Sequence, residues 1–200
     1  MSDADILLPD VIRVVVADAN VLYSRVLRDY LLIAAEREII EVHWSPQILD
    51  DTMRHLMANR PSFTEEHAQR LSDAMTKTFP DACVTPGGEH LDRIARYDVP
   101  DDDDRDVMAT ALACGATIIC TFNLSDFPEG VMGDLGLAAM EPDDLFAMLI
   151  DEHLSEMLSA HRQAVADFPG ATDGSTLAAL RASGAPGTAK RMAEALGITA

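Results

Sequence analysis

The chain has 200 residues, 48% of them hydrophobic, with 15 basic against 34 acidic side chains and a formal net charge of −19. That is enough for one well-buried domain with an appendage, and the apolar content excludes disorder throughout. The charge argues against a broad nucleic-acid-binding surface, which needs lysine and arginine, and suits a soluble enzyme, a metal binder or a protein with a basic partner. No apolar run reaches the roughly 18 residues of a membrane helix. The opening MSDADILLPD lacks a charged-then-apolar leader, and Cys83, Cys114 and Cys120 have no CxxC spacing. Such thiols read as core filling in a reducing compartment, so a cytoplasmic protein is expected.

Residues 11–17, VIRVVVA, are a nearly continuous β-branched run and predict a strand buried on both faces, as in a parallel sheet. Ser24 is placed to cap a helix carrying Val26, Leu27, Tyr30, Leu31 and Ala34 at helical spacing. A strand over 39–44 follows, and Ser45-Pro46 opens the helix QILDDTMRHLMA. Ser62 with Glu65 has capping-box spacing and predicts a helix through Phe79. Residues 82–85 read as a brief strand, and Pro86-Gly87-Gly88 as a loop. Four aspartates, Asp101 to Asp104, precede a helix over 104–114 that Gly115 stops; the first three read as mainly loop. TIICT, 117–121, is a second buried strand, and 137–140 a short last one. Alternating strands and helices predict an α/β domain with a mainly parallel sheet over 1–150. Beyond it, 151–200 form a helical extension, with patterns near 145–166, Leu177 and Met192 separated by FPGATDG and SGAPG. This extension is expected to be an appendage that packs beside the active-site edge or receives a partner, so that deleting 168–200 leaves the site folded.

The acids fall where such a sheet gathers ligands. Asp18 closes the first strand, and the carboxyl ends of strands line the crevice of open α/β sheets; its alternative role, with Asn20, is shaping a turn. Asp50 and Asp51 share a helix, one facing inward and the other solvent. Asp104 stands at a helix start, where a carboxylate suits the dipole, with Met108 and Ala111 on its face. Asn123 and Asp126 follow the second buried strand. Carboxylates gathered at one sheet edge repel unless a cation joins them, and hard oxygen donors select Mg²⁺ or Mn²⁺. Such a cluster suits attack of metal-activated water on a phosphodiester. If 123–126 curl as a helical turn, Asp126 faces the same way as Asn123 and is expected to be the fourth acid, acting through a metal-bound water with Asn123 orienting it by a hydrogen bond. Its alternative is capping the Phe127-Pro128 turn.

VVVADANVLYS, SPQILDD, DDRDVMATALACGATIICTFNLSDF and PDDLFAML together resemble PIN-domain proteins, in the branch of the VapC-type toxins of bacterial toxin–antitoxin pairs. The resemblance covers roughly 11–150 and is most specific from Asp101 to Phe127. It implies a PIN-like three-layer α/β/α fold and a metal-dependent endoribonuclease, the toxin of a type II pair, with an RNA substrate, a protein antitoxin and a possible homodimer. By position Asp18 matches the family's first acid, Asp51 the second and Asp104 the third. The second is usually glutamate, and Asp50 is its alternative here; Asn123 falls near the fourth, with Asp126 three residues on. Asn20 and Arg105 are supporting residues, Arg105 facing either solvent or a phosphate. Arg25, Arg28, Arg54 and Arg60 are the other local bases for an RNA backbone, and His55 reads as a surface residue.

Other aspartate chemistries fit less well. A haloacid dehalogenase-type phosphatase wants Asp-x-Asp where this chain has Asp18-Ala19-Asn20. A response-regulator receiver wants an early acidic pair and a later phosphorylated aspartate, and a calcium loop from Asp101 fails at Arg105. The rival of a different class is a PIN-like fold that has lost catalysis and serves as a binding or regulatory module.

Overall fold

A computed structural model describes residues 12–99 and 101–198. Its sheet has strands β1 (Arg13–Ala17), β2 (Ile40–His43), β3 (Ile118–Cys120) and β4 (Ala138–Met140), all parallel in the order β2-β1-β3-β4. Val15, Val16 and Ala17 are all fully buried, as is Ile119-Cys120. Successive strand side chains point to opposite faces, so helices cover both faces, and this produces the continuous apolar runs of the sequence. Val11 of the expected first strand lies outside the described residues.

After β1 come α1 (Ala19–Leu22) and α2 (Arg25–Glu36); after β2, α3 (Pro46–Asn59), α4 (Glu65–Thr78), α5 (Gly88–Ile94) and α6 (Asp102–Cys114). A 3₁₀ turn at Leu124–Asp126 and α7 (Glu129–Leu135) lead into β4. The chain ends in α8 (Pro142–Glu152), α9 (Leu154–Ala166), α10 (Asp173–Ala182) and α11 (Pro186–Ala195). The strand order changes direction between β1 and β3, because the chain adds β2 on one side of β1 and returns to add β3 on the other. Asp18 and Thr121 lie at the carboxyl ends of β1 and β3 beside that switch, the place where open α/β sheets have their ligand crevice.

Local chemistry explains several boundaries. Ser45 caps α3 by accepting from the Ile48 N–H at 3.0 Å, with Pro46 in the first turn. Gly115 ends α6 at φ 69°, a left-handed conformation that glycine adopts without strain.

Other boundaries depart from the sequence reading. Thr64, not Ser62, caps α4, because Phe63 N–H bonds back to Arg60 and this turn holds Ser62 away from the helix start. Residues 82–85 make no strand: Cys83 forms one bridge with Trp44 just past the end of β2, leaving no ladder to extend. The Gly87-Gly88 stretch opens α5, with the imidazole of His90 accepting from Gly87 N–H at 3.1 Å. The pattern over 145–166 is two helices that break at His153 (φ −130°, ψ 48°), without a glycine or proline to mark it. Asp101 is the cap of α6, accepting from Asp103 N–H at 2.9 Å, and Asp102 and Asp103 belong to its first turn instead of a loop. There the exposed amides and the positive end of the dipole offset their mutual repulsion.

The last three helices share the buried cluster of the sheet domain. α9 packs on α2, and α11 on α8 and α10. At the first contact the buried Tyr30 hydroxyl lies 2.5 Å from His161 Nδ1, and His161 Nε2 lies 3.2 Å from Asp173. Burial holds the His161 pKa down, so the neutral ring accepts from Tyr30 and donates to Asp173. Asp143 of α8 accepts from Gly187 N–H at 2.8 Å and Thr188 N–H at 2.6 Å, capping α11. Gly184, at φ 85°, lies so close to Phe122 that an added Cβ would meet the ring at 2.8 Å. The α10–α11 turn therefore rests on the segment that follows β3.

Candidate active site

Asp18 leaves β1 and caps α1, while its backbone N–H bonds the Cys120 carbonyl of β3 at 3.0 Å. Its carboxylate accepts from the Thr121 hydroxyl at 2.6 Å and from the Asn20 amide at 2.7 Å. Asn20 also donates to Thr121 at 3.0 Å and accepts from Phe122 N–H at 3.2 Å, and Asn123 N–H donates to Thr121 at 3.0 Å. This network ties the ends of β1 and β3 together and fixes the Asp18 carboxylate in the crevice. Burial pushes its pKa up, and the hydrogen bonds from Thr121, the backbone at Ala19 and Asn20, and the Asn20 amide partly offset that.

Asp104 lies in the first turn of α6. Its carboxyl is pushed up to about 6, first by desolvation and then by the charges of Asp126, Asp101, Asp18 and Asp103. The charges of Asp126 and Asp18 thus reach Asp104 at the switch point. Asp126 ends the 3₁₀ turn, and its backbone N–H bonds the Asn123 carbonyl at 3.0 Å, so the segment does curl as a turn. The expected hydrogen bond from the Asn123 amide to Asp126 is not made; the Ser125 hydroxyl donates to Asp126 at 3.3 Å instead. The side chain next in sequence, not the one a turn earlier, is in reach.

Asp51 is approached from another side. On α3 its carboxylate takes an ion pair from Arg54, whose guanidinium is largely exposed, and its charge helps to raise the carboxyl of Asp106 on α6. Burial is the larger cause of that rise, which a hydrogen bond from Ser45 opposes. Asp50 is exposed. The arginines divide. Arg28 is buried and donates to the Leu22 carbonyl at 2.5 Å, and Arg25 pairs with Asp29 at 2.7 Å. Arg60 lies over the Tyr23 ring, and Arg105 donates to the Val99 carbonyl at 2.7 Å with its side chain partly exposed. Only Arg54 of these is held by a site acid.

A parallel sheet with this strand order and acids at its switch point also matches a known sequence family. The family model of the PIN domain matches residues 14–125, over half of the chain. This chain belongs to the PIN-domain family. No curated protein and no solved structure matches it. PIN domains are generally metal-dependent nucleases, so the coarse chemistry of this fold is hydrolytic and of the nuclease type.

The match takes in Asp18, Asp51, Asp104 and Asn123, and stops one residue short of Asp126. The donors in the PIN crevice are carboxylate oxygens, as a hard divalent cation requires, and the repulsion at Asp104 is what a cation would relieve. In that sense the residues fit the group. They are not gathered into a finished cage: among the described residues no three His, Cys, Asp or Glu side chains are arranged to hold a metal ion.

Sequence reasoning missed Thr121, Asp106 and the second role of Ser45. Thr121, the polar residue closing an apolar strand beside the first acid, carried a signal. Asp106 carried none, because its partner is 61 residues away and only the packing of α3 on α6 joins them.

Proposed function

We propose that this PIN domain is a metal-dependent endoribonuclease, with Asp18, Asp51, Asp104 and Asp126 as its acidic set and Mg²⁺ or Mn²⁺ as the cofactor. The reading is supported by Asp104 beside the strand switch point, whose carboxyl is raised to about 6 first by burial and then by the charges of Asp126, Asp101, Asp18 and Asp103. When bound there, a divalent cation supplies a water of lowered pKa and neutralises charge on the leaving oxygen. The chain's own residues do the rest. Thr121 and Asn20 hold Asp18 in one orientation, and Asp104 and Asp126 supply negative charge from the facing elements. Arg54, the exposed base at the site, can exchange Asp51 for a phosphate of the RNA backbone. The resemblance to VapC-type toxins supports a toxin role in a type II pair, with a protein antitoxin as partner and a homodimer as assembly.

Purified protein is expected to cut single-stranded RNA with Mg²⁺ or Mn²⁺ and to stop on chelation; cutting that survives excess chelator contradicts the reading. Metal binding should weaken as pH falls through about 6, because protonation removes the charge of Asp104. Asp126→Asn is expected to weaken Mn²⁺ binding more than Asn123→Ala does, and the reverse order would move the fourth role to Asn123.

A second reading, a PIN-like binding or regulatory module without catalysis, is favoured by the Asp51–Arg54 ion pair, which occupies a proposed ligand. RNA cutting that is abolished by Asp104→Asn excludes it.

A further inference from the structure

Asp106 is not one of the proposed metal ligands. It lies two positions after Asp104 on α6, and residues two apart on a helix do not face each other. Asp106 instead shares its side of the helix with Asp103, three residues earlier, and both reach α3. The Asp106 carboxylate accepts from the hydroxyl of Ser45, and Asp103 accepts from the Gln47 amide at 2.6 Å. Ser45 is fully buried, and its hydroxyl oxygen already accepts from Ile48 N–H, so its single proton is committed to Asp106. Gln47 and Asp51 are four residues apart, on one face of α3. Asp51 therefore sits one turn along the face that these two bonds hold against α6.

We propose that Asp106 is a positioning residue: through Ser45 it fixes the start of α3 against α6, and so sets the separation between Asp51 and Asp104. This rests on the reading of Asp51 as a metal ligand. The clamp has a reason in the side chain it serves. Aspartate is one methylene shorter than the glutamate usual at this family position, so it has less reach to absorb a displaced helix. Ser45–Asp106 holds the helices at the spacing the shorter acid needs.

The test compares Asp106→Asn with Asp106→Ala in the full chain, both with Mn²⁺ followed by calorimetry. The amide oxygen of asparagine still accepts from Ser45, so Asp106→Asn should bind Mn²⁺ as wild type does. Asp106→Ala should bind about tenfold more weakly, as for other partners that orient ligands. Adding Asp51→Glu to Asp106→Ala should recover most of that loss, because the longer side chain spans the gap. If Asp106→Asn loses as much affinity as Asp106→Ala, Asp106 is itself a ligand and the proposal fails. It fails equally if Asp51→Glu restores nothing. Amide exchange over residues 46–53 in metal-free protein gives a readout that needs no cation. It should quicken in Asp106→Ala and stay at the wild-type rate in Asp106→Asn; the same response in both variants overturns the clamp. A wild-type chain that binds no Mn²⁺ would sink the metal centre, and the exchange rates would still decide on the clamp.

Discussion

Asp104→Asn is expected to abolish RNA hydrolysis, by about 100-fold or more, while leaving the fold intact and making the metal-free protein slightly more stable near pH 7. The first effect follows from removing the charge of one proposed metal ligand. The second follows from linkage. The folded-state carboxyl is raised to about 6 from an ordinary value of 3.8. The group's contribution to stability is thus fully present below about 3.8 and is lost as pH rises through about 6. At pH 7 the ionised carboxylate works against folding, and the neutral amide does not. The site is partly open to solvent, which screens the repulsion and keeps the gain small. Thermal melts without metal should therefore favour the variant at pH 7 and converge with wild type at pH 4. Added Mn²⁺ should raise the melting temperature of wild type more than that of the variant. A variant that cuts RNA at the wild-type rate would contradict the mechanism.

Deleting residues 168–200 is expected to remove most of the stability of the remaining chain. Leu177 is 2% exposed, and Leu180 and Met192 are fully buried. Burying one such side chain contributes about 1.5–3 kcal/mol, so these three alone amount to roughly 5 kcal/mol or more. A typical domain has about 5–15 kcal/mol in total. The deletion also takes away Asp173 from His161, α11 from Asp143, and the turn at Gly184 that rests on Phe122. A truncated chain that melts cooperatively at the wild-type temperature would show that the C-terminal helices are dispensable to the fold.

How far the sequence could be read depended on whether each signal was local. The β-branched run before Asp18 and TIICT before Phe122 located the two central strands, because a strand buried on both faces must be apolar at every position. The observed strand order puts Asp18 at the switch point, and the charges of Asp18 and Asp126 reach Asp104 on α6. The apolar periodicity of 145–166 ran straight through a break at His153, since both helices bury the same kind of stripe and no breaker residue intervenes. The short, glycine-separated patterns beyond Phe168 made the tail look separable, because periodicity shows which face is apolar and not what covers it. Ser62 was the expected cap of α4, and the turn at Phe63 gives that place to Thr64 instead. The Ser45–Asp106 bond, joining residues far apart in the chain, became visible only once α3 was seen to lie against α6.

Anomalous scattering from a crystal of the full chain grown with Mn²⁺ would locate the metal itself. A manganese peak is expected in the crevice at the carboxyl ends of β1 and β3, within about 2.5 Å of carboxylate oxygens of Asp18 and Asp104, and is expected to vanish in Asp104→Asn. A peak away from that crevice, or one that persists unchanged in Asp104→Asn, would contradict the proposed metal site.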